Sequence, residues 1–431
     1  MKKIFLFFSL FIPLLGLAQQ RLTLEMAIDS ALKNNFDIRI ARNEAEIGKI
    51  NNHYGMAGGL PAITAGVSDN SSLYNIHQEF GDGTSANVNN SFSNNLNADI
   101  SASIVLFNGL KVISAKKRLS YLQDKGFLEL NMEIQNTLAA IMLKYFDIIR
   151  QEGYLKIIHS TIDISRKKSE IITAQKNVGM ANDADMMQAQ IDLNLAEQNY
   201  RSQQLLVENS KTELIQLMGG SQEQIFITGD TIITLSPLIT LDSVLLFLKD
   251  NYQYLTAEQQ IKISEQLAKE ARAERMPSLR LNTAYDVGLT NNPKGNTLTN
   301  LNYGPYAGLN LQIPLFNGGT SRIRQKTALL NTSNARLEKE NLFNELTALA
   351  RKTHQTYKNA YGQLEIQQAS VRLSEKLVAL VLQKFQLNQA TILDLKSAQQ
   401  SYENSAYLLV NLQYQAKVAE IELKRLSCLL K

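Results

Sequence analysis

The sequence predicts a mainly α fold with a smaller β part of membrane-crossing character, built from duplicated long-helix hairpins and four strands. Three observations predict it. The tetrapeptide Leu106-Phe107-Asn108-Gly109 recurs as Leu315-Phe316-Asn317-Gly318, 209 residues further on. Ahead of each copy the apolar residues alternate with period two; behind each they recur every three to four residues for more than sixty positions. No proline lies between Ala62 and Ser236 or after Pro314, as long helices require, since an interior proline costs about 3 kcal/mol. Asn is a good helix N-cap and Gly lets the backbone bend sharply. Phe107, Asn108 and Gly109, like Phe316, Asn317 and Gly318, therefore read as strand-to-helix junctions.

The chain opens on a secretory signal, residues 1–18. Lys2 and Lys3 form its charged end, Ile4 to Leu15 its apolar run, and Gly16-Leu17-Ala18 its cleavage site. Cleavage there leaves Gln19 first, with no Cys to carry a lipid. The formal charge of +4 includes the two signal lysines, so nothing in the balance calls for nucleic acid. Cys428 is the only cysteine, and an exported fold with one thiol holds by packing alone. His53, His77, His159 and His354 share no ligand spacing, and there is no Ser-His-Asp set, His-Glu-x-x-His or phosphate loop. The sequence thus supports no enzyme, metal site or cofactor. Beyond the signal no run of eighteen apolar residues occurs, so any membrane crossing falls to strands.

The first structural repeat covers residues 19–220. Thr23-Leu24-Glu25 starts a short helix with Ala27, Ile28, Ala31 and Leu32 on one face, and a second helical run spans about 36–56. A strand pair follows over about 62–106. Ala62 to Val67 alternates weakly and fades into a polar loop, Asp69 to Asn90, while the return strand alternates through Leu96, Ala98, Ile100, Ala102, Ile104 and Leu106. That length matches the ~9–11 residues of a tilted strand crossing a bilayer. A long helical hairpin occupies 110–218, and its first arm, to Gln175, spans roughly 100 Å at ~1.5 Å per residue. The arm's core positions run from Phe127, Leu130, Ile134 and Leu138 through Ile141, Tyr145 and Ile148 to Ile158 and Ile162, a step of ~3.5 that implies supercoiling. A second stripe, Met142, Phe146, Ile149 and Ile157, gives it neighbours on two sides. Asn177-Val178-Gly179 breaks the pattern, Asn182 or Asp183 caps the return arm, and Gly219-Gly220 stops it.

After a linker at 221–238 the chain begins again, over 239–431. Thr240-Leu241-Asp242 repeats Thr23-Leu24-Glu25, and Asn251-Tyr252 repeats Asn35-Phe36. A second strand pair, about 279–315, sets Leu279, Leu281, Tyr285, Val287 and Leu289 beside Pro305, Ala307, Leu309, Leu311, Ile313 and Leu315. The second hairpin runs over 318–430, with a break near Asn388. Four strands are too few to close, since single-chain barrels start at about eight. An open edge in lipid costs several kcal/mol per unpaired backbone group. Several copies must therefore pool their strands, and three would give twelve.

The paired Thr-Leu-Glu/Asp openings, the Leu-Phe-Asn-Gly junctions, and Asn177-Val178-Gly179 followed by Asp185 and Gln188-Ala189-Gln190 resemble the TolC-type outer-membrane efflux family, over the whole mature chain. The resemblance implies a homotrimer with a shared twelve-stranded transmembrane β-barrel in outer-membrane lipid and an α-helical barrel in the periplasm. It implies docking on a periplasmic adaptor (membrane fusion) protein and an inner-membrane pump, with Val178, Gly179, Leu387 and Asn388 at the docking tips. Asp185, Phe385 and Asp394 fall at the periplasmic aperture, and the loops Asp69–Asn90 and Thr290–Asn302 become extracellular. At the second tip, where the family often carries Tyr, Gly, Arg and two Asp, this chain has Phe385, Asn388, Ala390, Asp394 and Ser397. The family's hydrogen-bonded lock cannot form with these residues. Packing is expected to hold the closed state, with three Asp394 carboxylates raising one another's pKa.

Other features read more simply. Asp185 and Asp394 also suit the first turn of a helix, where carboxylates complement the macrodipole. The basic runs Lys116-Lys117-Arg118 and Arg166-Lys167-Lys168 read as solvated helix faces. Tyr74, Tyr285, Tyr303 and Tyr306 fit interfacial girdle or ordinary packing positions alike. The leading function is a passive exit duct of a tripartite efflux or type I secretion system. An exported helical-bundle structural or adhesion protein would leave the strands idle, and a diffusion pore would carry far more strand than helix.

Overall fold

A computed structural model describes residues 20–220, 226–294 and 297–430. The expected signal, the start of the linker and Gly295 lie outside these described residues. Helix makes up 66% of the chain, unlike the strand-built wall of a diffusion pore. The elements follow as β1 (Gln20–Leu22), α1 (Leu24–Asn34), α2 (Phe36–Asn51), β2 (Ala62–Glu79), β3 (Ser85–Asn108), α3 (Lys111–Asn177) and α4 (Asp183–Met218). Then come β4 (Phe226–Thr228), α5 (Leu241–Phe247), α6 (Tyr252–Ala273), β5 (Ser278–Asn291), β6 (Thr299–Gln312), α7 (Thr320–Gln386) and α8 (Ile392–Leu426). Two compact units result, and each draws on both sequence repeats: one holds the chain up to Ile40, Met132–Asn251 and Glu345 onward, the other Ala41–Asn131 and Tyr252–Asn344.

The second of these units contains an antiparallel sheet in the order β2-β3-β5-β6. Directly paired residues share a face, and the register sorts the faces by polarity. Val67, Ala98, Val287 and Tyr303 form one apolar row, and Ala65, Ile100, Tyr285 and Pro305 the next. The opposite face carries Ser68, Asn97, Gly288 and Asn302, then Gly66, Asp99, Asp286 and Gly304. The apolar face is bare: Val67 is 76% exposed and Tyr303 70%. Between Leu289 and Leu279 a tilted strand climbs ~25 Å, the height of the apolar band of an outer-membrane barrel.

The sheet departs from expectation in three places. The polar stretch Asp69–Asn90 is largely strand, and the connection shrinks to 80–84. Its side chains support the pairing themselves: Asn94 Nδ2 donates to Asp69 Oδ1 (2.5 Å) and to Ser71 Oγ (2.9 Å), and Asp82 Oδ1 accepts from the Thr84 N–H (3.0 Å). Period-two apolar patterning misses a ladder held this way. A β-bulge also falls at Leu106, because Val105 pairs Arg280 while Phe107 pairs Leu279. The extra residue moves Phe107, rather than Leu106, into the apolar row with Leu279 and Leu311. Finally, β6 ends at Gln312, short of the expected Leu315, because its partner β5 begins at Ser278 and Pro314 has no N–H to give. Phe316 is left 86% exposed.

Both junctions share one backbone solution. Gly109 and Leu110 have φ of 67° and 68°, and Gly318 and Gly319 have 65° and 79°. The chain thus makes two left-handed residues before each long helix. Asn108 Oδ1 accepts from the Val112 N–H (3.3 Å) and Asn317 Oδ1 from the Ser321 N–H (3.5 Å). Each Asn caps its helix across the bend, from three residues ahead of the first helical position rather than beside it.

In the first unit, Ala27 and Ala31 of α1, Ile141, Tyr145 and Ile148 of α3, Leu214 of α4 and Ile421 of α8 form one core. The 3.5-residue stripe of α3 is buried at Leu138, Ile141, Tyr145, Ile148, Ile158 and Ile162, and Phe127 is exposed. Each repeat fastens its helix ends with a buried Asn. Asn35 Nδ2 donates to Leu217 O (2.8 Å) at the end of α4, while its Oδ1 caps α2 through the Ile38 N–H (3.0 Å). Asn251 Nδ2 donates to Leu426 O (3.0 Å) at the end of α8.

Two outcomes follow for stability. A Cβ at Gly318 would meet nothing within 4 Å, but one at Gly109 would sit 2.5 Å from Met276 Cβ. Gly318→Ala should cost about 1 kcal/mol of left-handed strain and Gly109→Ala about 2–4 kcal/mol, read from thermal midpoints; equal midpoints would contradict this packing. Asn35→Ala and Asn251→Ala should each cost about 1–3 kcal/mol, because each leaves a buried helix-end carbonyl without its donor.

Candidate functional site: the paired helical tips

The turns that join α3 to α4 and α7 to α8 are built alike, and both belong to the first unit. At the end of α3 the Met180 N–H reaches Gln175 O (2.7 Å) and the Gly179 N–H reaches Lys176 O (2.9 Å). At the end of α7 the Gln389 N–H reaches Lys384 O (2.8 Å) and the Asn388 N–H reaches Phe385 O (3.2 Å). Both are Schellman caps, which need a left-handed residue after the helix. Gly179 supplies it with φ 77° and Asn388 with φ 58°, Asn being the residue that tolerates that region best after Gly. Val178 and Leu387, one residue earlier in each turn, project their side chains outward, Leu387 being 62% exposed.

The return helices start on matched caps. Asn182 Oδ1 accepts from the Asp185 N–H (2.8 Å), and Thr391 Oγ1 from the Asp394 N–H (3.1 Å). Asp394 completes a reciprocal box: its Oδ2 accepts from the Thr391 N–H (2.8 Å) and hydroxyl (2.7 Å). The Thr391 backbone bond, aided by its hydroxyl, holds the Asp394 carboxyl below the usual range. In the single chain the shift runs downward, opposite to the rise expected of a ring of three. Asp185 and Asp394 occupy the same third position of equivalent helices.

Phe385 is 5% exposed and packs with Ile172, Ala189 and Leu395. It is a core residue between the two hairpins, with Ala390 and Ile392 against it. Hydrogen bonds between the tips do exist, through a residue that the sequence does not single out. Gln175 Nε2 donates to Asn388 Oδ1 (2.6 Å) and to Phe385 O (3.4 Å). Its partner lies 213 residues away, and no local pattern announces such a pair.

Higher in the same hairpins the basic run Arg166-Lys167-Lys168 is not a solvated face throughout. Lys168 is 1% exposed and pairs with Asp192 Oδ2 at 2.5 Å, while Lys396 of α8 approaches Asp192 Oδ1 at 3.4 Å. Burial pushes the Asp192 carboxyl up, but the Lys168 and Gln188 hydrogen bonds outweigh it and hold the group ionised. Continuing the 3.5-residue stripe past Ile162 lands on Ser165, Lys168 and Ile172, all buried, so the periodicity did contain this lysine. In the other unit Arg118 is likewise paired, with Glu270 at 2.7 Å.

Among the described residues no cluster of three metal-ligating His, Cys, Asp or Glu side chains is present, and no helix is long and apolar enough to cross a membrane. The arrangement offers surfaces and a sheet rather than reacting groups. Solved structures share the fold at low identity. VceC, an outer membrane protein of Vibrio cholerae, is similar at 15% identity and a TM-score of 0.77, over 94% of this chain and 95% of that one. The CmeC outer membrane channel of Campylobacter jejuni is similar at 16% and 0.79, over 94% and 85%. The MtrE outer membrane channel of Neisseria gonorrhoeae, in an open state, is similar at 18% and 0.72, over 95% and 89%. No curated protein matches the sequence. The family model for outer membrane efflux proteins matches residues 27–220 and 246–427, both repeats in turn, and the chain belongs to that family, as a non-enzymatic protein of the outer membrane.

Proposed function

We propose that the chain is one protomer of a homotrimeric exit duct, a passive channel through the outer membrane and periplasm that serves a tripartite efflux or type I secretion system. The carrying observation is the four-stranded sheet with one bare apolar face and two open edges, β2 and β6. In hydrocarbon those edges need partners, and pooling four strands from each of three copies closes twelve. The polar face then lines the pore. Energy and cargo choice belong to the inner-membrane pump, reached through a periplasmic adaptor that grips Val178, Gly179, Leu387 and Asn388. Asp185 and Asp394 ring the periplasmic aperture, with Phe385 packed behind them, and the Thr391 bonds keep Asp394 charged there.

Reconstituted into planar bilayers, the purified protein should conduct ions, and cross-linking in detergent should stop at three copies. A monodisperse monomer recovered from membrane-free extract would overturn the duct. Leu387→Asp is the cleanest probe of docking, because Leu387 is exposed and Asn388 is tied to Gln175. It should reduce export to the level of a deletion while trimer yield stays unchanged; wild-type export would remove the tip from the docking surface.

A further inference from the structure

A cavity of about 600 Å³ lies at the base of the sheet, in the second unit, within the ~300–1,000 Å³ range of small-molecule sites. From the strands it takes the pair Val105 and Arg280 and the neighbouring polar row Asn108, Ser278 and Gln312. The apolar row Phe107, Leu279 and Leu311 contributes nothing to it. The cavity therefore opens on the polar face, the face turned away from lipid. Facing the strands, Met56, Val112 and Met276 give the lining an apolar patch beside the charged Lys111, Arg118, Glu270 and Glu274, and methionine adapts to apolar bodies of varied shape.

The charges around it do not balance. Arg118 is held by Glu270 (2.7 Å) and Lys111 by Glu274 (3.1 Å), and Glu274 is shared with Arg324 (3.3 Å). Burial raises the Glu274 carboxyl, but the Lys111 and Arg324 bonds prevail and keep it ionised. Among the described residues Arg280 has no carboxylate partner. Its guanidinium presents a planar fork of donors suited to a carboxylate or sulfonate. Further along the same face Asp99 pairs with Asp286, about 20 Å away along the strand.

We propose that this cavity binds an amphipathic organic monoanion, its acid group on Arg280 and its apolar body against Met56, Val112 and Met276. The proposal rests on the duct reading for the route by which the ligand arrives. Full-length protein in zwitterionic detergent, titrated with anilinonaphthalene sulfonate, should show saturable fluorescence. Arg280→Gln should weaken that binding about tenfold or more, the worth of one charge-assisted hydrogen-bonded pair. The uncharged analogue phenylnaphthylamine should bind wild type and variant alike. Equal weakening of both dyes, or no weakening of the sulfonate, overturns the site. Displacement of the dye by phosphatidylglycerol as readily as by soluble sulfonates overturns it in favour of lipid. Dye binding needs no open pore: protein that binds the dye and conducts nothing refutes the duct alone, and protein that conducts without Arg280-dependent binding refutes the cavity alone.

Discussion

A peptide group inside hydrocarbon has only other peptide groups to bond, and this constraint governs everything else in the chain. It explains why the sheet is antiparallel, with β5 and β6 in continuous register from Asn291 down to Ser278 and β3 against β5 shifted only at the Leu106 bulge, and why its two faces differ so sharply in polarity. It also explains why the sheet stops at four strands without becoming an error. A lone copy leaves β2 and β6 unpaired on their outer edges, the deficit that the proposed pooling of strands would remove. The long helices face no such demand, since their backbone bonds are internal, and they satisfy water with polar flanks instead.

The passage from sheet to helix is where two incompatible backbone geometries must meet within a few residues. Two left-handed residues do this at both junctions, and a side-chain amide bonds back to the first helical turn across them. At the second junction both residues are glycines, but at the first the latter is Leu110, which carries about 1–2 kcal/mol of strain. The bulge at Leu106 lies immediately before that bend, consistent with the tendency of bulges to gather at barrel rims and redirect a strand.

Much of this was legible in the sequence, because long periods average out local ambiguity. Sixty positions of helical recurrence, the strand alternation and the doubled Leu-Phe-Asn-Gly sequence fixed element type and order, and the tips fell where Gly179 and Asn388 had to sit. Misses came from interactions without a period. The ribbon of β2 and β3 beyond Asn94 is held by Asn, Ser and Asp side chains, which look like loop when read singly. A single inserted residue at Leu106 flips everything after it. Lys168 sits on the buried stripe but carries the wrong chemistry to be noticed there, and Gln175 finds its partner only after the second hairpin folds back beside the first.

The two tips share both Schellman bonds of their caps yet present different chemistry: Val178 and Gly179 on one, Leu387 and Asn388 on the other. In the proposed three-copy duct those two endings would alternate around the mouth, so a ring of identical docking proteins would meet two kinds of foothold in turn. Such a ring would either engage every second ending or tolerate both.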